Sequence, residues 1–138
     1  MSRSGFASAN TQMHMGISGA SGFLGGHLCR AMVAAGHRVT ALVRRASSRD
    51  RLPAIECLEV DDPRAVDKFE WSAMGALIHA ATSYGRGGAS SASMLRDNVL
   101  FPLTLLERLP SGAALINTDS FFSKPSCVSE YLGPYTLC

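Results

Sequence analysis

Residues 16–26 read "GISGASGFLGG", with glycine at five of eleven positions, between a short apolar run, "MHMGIS", and a segment of helix length, "FLGGHLCRAMVAAG". Few structures need a strand that turns into a helix through glycines. Two overlapping GxxGxxG registers are present, Gly16/Gly19/Gly22 and Gly19/Gly22/Gly25, and only the second straddles the strand-to-helix turn. In that register Gly19 makes the tight turn, Gly22 lies where backbone must approach a pyrophosphate, and Gly25 lets the helix pack closely on a sheet. The first turn of the helix, opened by Phe23 and Leu24, then offers unpaired N–H groups and a partial positive charge to phosphate. A glycine triplet alone can be purely structural. Here it follows the first strand, opens an amphipathic helix and begins a βαβ unit, the setting the motif requires.

Five apolar runs of about strand length follow one another from Met13: "MHMGIS", "RVTALV", "IECLEV", "ALIHAA" and "AALINT". Each is closed by Gly, charged or polar residues, as buried parallel strands are. Helix-length segments alternate with them, which predicts an α/β domain with a doubly wound parallel sheet in the order 3-2-1-4-5. In the first helix Leu24, Leu28, Ala31, Met32 and Ala35 fall on one apolar face, and Gly36 is placed to end it as a left-handed cap. "RRASSRDRLPA" is polar and Pro-broken, so it predicts at most a short helix, whereas "PRAVDKFEWSAM" has Pro63 in a favourable first turn. "SASMLRDNVLFPLTLLERL" is the longest helix, with Met94, Leu95, Val99, Pro102, Leu103 and Leu106 expected against the sheet.

At the end of a second strand, an acidic residue suits the ribose hydroxyl of NAD, and Arg accommodates the 2′-phosphate of NADP. Here the strand ends "ALVRR", so Arg44, with Arg45 beside it, favours NADP over NAD; the alternative is an ordinary solvated basic turn. Asp61, in "EVDD" after the third strand, suits the adenine amino group or, equally, the N-terminal cap of the helix at Pro63.

The 138 residues, close to half of them apolar, suffice for one domain and not two of ordinary size. A formal charge of +2 with dispersed basic residues argues against a nucleic-acid partner. Cys29, Cys57, Cys127 and Cys138 have neither disulfide-scaffold nor zinc spacing, so no metal is expected and reduced, cytoplasmic thiols are the default. No apolar run reaches the ~18 residues of a membrane span. Residues 1–12, Ser/Ala/Asn-rich, read as a disordered tail.

The chain resembles the extended short-chain dehydrogenases/reductases, the family of NAD-dependent sugar-nucleotide epimerases, dehydratases and reductases. "SGASGFLG" is similar to the family's TGxxGFxG loop, "LIHAAT" to its fourth-strand HxA, "DNV" to its fourth-helix NV motif and "INTDSFF" to its fifth-strand Ser/Thr segment. The resemblance implies a Rossmann fold in which His79, Ala80 and Ala81 line the cofactor side of the fourth strand. It also implies that Thr118 hydrogen-bonds the reacting oxygen of the substrate and that Asn98 offers its carbonyl to a proton-relay water. Pro102, four residues on, has no N–H for that carbonyl, so the helix is expected to bend there unless Pro102 only shapes packing. The dehydratase branch follows its Thr with Asp and Glu, whereas this chain has Thr118, Asp119, Ser120. That departure favours reduction or epimerisation of a nucleotide sugar over dehydration, and "INTDSFF" looks most like the reductases making dideoxy sugars on a cytidine diphosphate carrier.

The resemblance gives Tyr135 the acid/base role; Tyr131, whose fourth residue on is Tyr135 and not Lys, is a competitor, and Asp119 is a further candidate. A phenol titrates near pH 10, so only about one Tyr in a thousand is ionised at neutrality. The family supplies a Lys four residues on to lower that value. Counted from Tyr135 in "YLGPYTLC", the Lys would fall one position past Cys138. The expectation is therefore a Rossmann domain over residues 13–138 cut through its active site. It would lack its substrate lobe, be inactive as it stands and be able to self-associate through an exposed sheet edge. The alternatives are a non-enzymatic NADP-binding regulatory module and a functionless fragment.

Overall fold

The computed structural model describes residues 11–85 and 87–118. The expected tail over residues 1–12 therefore falls almost wholly outside the described residues, as do Asp119 and Tyr135.

Five strands form one sheet in the order β3-β2-β1-β4-β5, the order expected. They are β1 (His14–Ser18), β2 (Arg38–Val43), β3 (Glu56–Glu59), β4 (Ala76–His79) and β5 (Ala114–Asn117). All neighbours are parallel, with Ser18 opposite Leu42 and His79, and His79 opposite Asn117, so every strand delivers its C-terminal end to the same edge. Among the described residues β5 pairs on one side only, and Ile116 is 48% exposed.

The strand runs are continuously apolar because both sheet faces are covered. On one face Met15, Ile17, Val39, Ala41 and Ile78 pack with Cys29 of α1 (Phe23–Ala34). On the other, Leu42, Leu58 and Leu77 pack with Val66 of α2 (Pro63–Lys68), with Trp71 and Met74, and with Leu105 of α4 (Phe101–Arg108). Helix α1 ends as expected at Gly36, whose φ of 87° lets its N–H reach the Val33 carbonyl while His37 N–H reaches that of Met32. No regular helix forms over the Pro-broken segment after β2.

Three expectations need correction. The inward face of α1 is Gly25, Gly26 and Cys29, with Leu28 and Met32 partly buried beside it; Leu24, Ala31 and Ala35 are exposed. A side chain at Gly25 would overlap the Gly19 carbonyl, so the helix rolls onto its glycines to reach the turn. The cap of α2 is Asp62, which accepts the Arg64 N–H, and not Asp61. In the long helix the buried residues are Met94 and Leu105, with Phe101 and Leu109 packed beside Leu105; Leu95, Leu103 and Leu106 are exposed. From Val99 to Leu106 only Thr104 is polar, so periodicity had no basis for choosing a face.

That helix is also not uniform. Between α3 (Ser91–Leu95) and α4 it passes through a π-helical turn, Arg96–Leu100, in which the Phe101 N–H reaches back to the Arg96 carbonyl. The irregularity expected beside Pro102 takes this form: the Asn98 carbonyl meets no N–H at the fourth residue on, and the backbone widens around it.

Candidate functional site

At the C-terminal edge of the sheet, β1 runs into Gly19, where φ is 67°. A Cβ there would lie 2.7 Å from the Ala81 nitrogen and 2.8 Å from the Ala80 carbonyl, so the end of β4 closes directly over the turn. Gly22 N–H bonds the Gly19 carbonyl at 2.9 Å, and Gly22 then caps α1 without any side chain. With no acidic residue in the first turn either, the leading N–H groups of α1 meet no carboxylate of their own helix.

These elements wall a cleft of about 1190 Å³. Of the residues singled out in the sequence, Gly19, Gly22, Phe23, Leu24, Gly25, Arg44, Asp61, Ala80, Ala81 and Thr118 all line it. Two do not. His79 is only 4% exposed: strand alternation turns its ring away from the cleft, where Nδ1 meets Ser18 Oγ at 2.7 Å and the ring lies against Phe101. The Ala80 N–H also reaches Ser18, at 3.2 Å from its carbonyl and 3.3 Å from its Oγ, so Ser18 ties the end of β4 to both the ring and the backbone. Burial holds this imidazole below its ordinary pKa, and hence neutral. The lining role expected of His79 passes to its backbone neighbours, Ala80 and Ala81.

Asn98 is the other. Its side chain forms a two-bond clamp on the loop after β4, accepting the Ser83 N–H at 2.7 Å and donating to the Ser83 carbonyl at 2.9 Å. Thr118, just past β5, donates both its N–H (3.0 Å) and its hydroxyl (2.9 Å) to the His79 carbonyl, which sets its oxygen at the cleft wall.

The two arginines after β2 divide clearly. The Arg45 guanidinium is held by Glu59 at 3.1 Å and Asp62 at 3.5 Å, and those carboxylates raise its pKa. Arg44 is exposed, lines the cleft, and its guanidinium has no partner among the described residues.

Sequence reasoning missed Ser21, Ser47, Thr82, Ser83, Tyr84, Arg96 and Asp97, all of which line the cleft. The signal for the last two was their position just before Asn98; loop residues such as Thr82 and Tyr84 carry no periodicity to reveal which way they face.

A glycine turn between strand and helix, at the edge where parallel strands end, defines a doubly wound dinucleotide-binding type of domain. The chain belongs to the NAD dependent epimerase/dehydratase family, whose model matches residues 15–129. It is 34% identical over 124 residues to CDP-abequose synthase of Salmonella muenchen, covering 86% of this chain and 41% of that protein. The chain thus spans about two fifths of the length of the curated relatives it matches. Among solved structures it is similar to ADP-L-glycero-D-manno-heptose-6-epimerase of Helicobacter pylori (TM-score 0.75, 18% identity, 94% of this chain and 49% of that one). It also resembles UDP-glucose 4-epimerase of Brucella ovis in complex with NAD (TM-score 0.69, 22% identity, 82% and 37%). At these identities the structural likeness speaks for the fold. No helix among the described residues is long and apolar enough to cross a membrane.

Proposed function

We propose that this chain is the dinucleotide-binding portion of a cytoplasmic sugar-nucleotide reductase or epimerase, and that it takes NADP in preference to NAD. The observation that carries the reading is the Arg44 guanidinium at the end of β2, without a partner among the described residues, on the same cleft as a glycine turn too tight for a Cβ at Gly19 or Gly25. The cradle fits a pyrophosphate: the α1 N-terminus supplies N–H donors and Gly22 keeps side-chain atoms out of their way. Arg44 fits the 2′-phosphate, because a guanidinium forks onto phosphate oxygens.

When bound, the nicotinamide would supply the hydride chemistry at a sugar carbon. This chain's part is orientation and proton handling. Thr118 offers its hydroxyl oxygen to the substrate, the Asn98 clamp fixes the cleft wall over Thr82–Tyr84, and Tyr135, with Asp119 as a second candidate, would exchange the proton. The similarity to a CDP-abequose synthase supports a nucleotide sugar, cytidine diphosphate-linked, as substrate.

Calorimetry of NADP and NAD against wild type and Arg44→Ala tests the reading. Wild type should prefer NADP, and the variant should lose about 10- to 150-fold of that preference, the worth of a charge-assisted hydrogen bond. Equal affinities in the wild type would refute the cofactor assignment.

A further inference from the structure

Asp61 lies where an adenine contact is expected, yet its carboxylate is already engaged. Both its oxygens accept the backbone N–H of Arg45, at 2.9 and 3.2 Å, across the gap between the ends of β3 and β2. On the other side of the same peptide unit, the Arg44 carbonyl accepts the Ser47 N–H at 2.9 Å. The peptide joining Arg44 to Arg45 is therefore held at both its polar groups. Because a peptide moves as a plane, holding both groups fixes ψ of Arg44 and with it the direction in which the Arg44 side chain leaves the backbone. Arg45 meanwhile points to Glu59 and Asp62, and Arg49 bonds Glu59 at 2.8 Å, so the neighbouring cations are occupied.

We propose that Asp61 is a specificity-determining positioning residue, which selects a 2′-phosphorylated dinucleotide by bracing the Arg44–Arg45 peptide so that Arg44 faces the cleft. This rests on the NADP reading above. It is separable from two other roles for Asp61 because the three differ in sign. An adenine contact is common to NAD and NADP, so its loss would weaken both equally. A bare negative charge beside the 2′-phosphate repels it, so its removal would strengthen NADP alone. The brace predicts the reverse: removal weakens NADP and leaves NAD nearly unchanged.

The experiment is calorimetric titration of wild type, Asp61→Ala and Asp61→Asn with NADP and with NAD, alongside amide exchange at Arg45 in the ligand-free protein. In Asp61→Ala the NADP/NAD affinity ratio should fall about five- to thirtyfold, the population cost of re-ordering one freed backbone residue. The Arg45 amide should lose protection in the same variant. Asp61→Asn keeps a carbonyl acceptor and should restore both. A wild type that binds NADP and NAD equally refutes the cofactor reading and this inference with it. A wild-type preference that survives in Asp61→Ala, or an equal loss for both dinucleotides, refutes this inference alone and leaves the cofactor reading standing.

Discussion

Replacing Gly22 with Ala should separate dinucleotide binding from stability. The backbone at Gly22 has φ −76° and ψ 175°, an extended conformation that Ala adopts without strain. An added Cβ would meet one neighbour, the Gly19 carbonyl oxygen at 3.1 Å, a tight contact that asks that oxygen to give by a few tenths of an ångström. Reduced freedom in the unfolded chain favours Ala by about 0.4–1 kcal/mol, while Ala is a poorer cap than Gly, so the net change in stability should be under about 1 kcal/mol. Binding should respond differently. Gly22 lines the cleft at the head of α1, and a methyl group there holds phosphate oxygens away from the N–H donors. Losing one charge-assisted hydrogen bond costs about 1.5–3 kcal/mol, or roughly 10- to 150-fold in affinity for NADP and NAD alike. Gly19→Ala is the contrasting control: its positive φ costs about 1–2 kcal/mol, and the Cβ would lie 2.7–2.8 Å from β4-end backbone that cannot yield, so stability itself should fall. Urea denaturation and calorimetry on both variants decide the matter. Undiminished dinucleotide affinity in a folded Gly22→Ala protein would show that the glycine loop is not the phosphate cradle.

Stability should decline on the acid side of neutrality. Burial, then the Arg38 charge, lowers the pKa of His14, and burial lowers that of His79; His14 Nδ1 is moreover buried without a hydrogen-bond partner among the described residues. The unfolded chain, with imidazoles near 6.5, then binds more protons than the folded one, so stability is full above about pH 6.5 and lost as pH falls through the lower folded-state values. Denaturant midpoints equal at pH 7.5 and pH 5 would contradict this. Asn98→Ala removes both bonds to Ser83 and should cost about 1–3 kcal/mol while unprotecting the Ser83 amide; unchanged exchange there would mean that the clamp holds nothing. The one-sided pairing of β5 among the described residues and the exposure of Ile116 should make the chain associate as concentration rises, and Ile116→Lys should suppress it. A wild type that sediments as a monomer at all concentrations rules this out.

The sheet was legible in the sequence because five apolar runs separated by helix-length segments admit few arrangements, and the glycine register at Gly19, Gly22 and Gly25 marks the turn. Backbone demands of that kind are local: a positive φ or a missing Cβ is written in the residue itself. Face selection is not local. Apolar residues surround the helix from Val99 to Leu106, and only packing against Leu77 and Trp71 decided that Leu105 goes inward while Leu103 and Leu106 stay outside. The same holds for α1, which the close approach at Gly25 rolled onto Gly26 and Cys29. Polar side chains were the least readable. "ALVRR" shows two equivalent arginines, and only the positions of Glu59 and Asp62 on neighbouring segments occupy Arg45 and leave Arg44 to the cleft. Whether His79 lines a site or supports it from behind depends likewise on Ser18, sixty-one residues earlier, because a hydrogen bond belongs to two groups and sequence shows each of them alone.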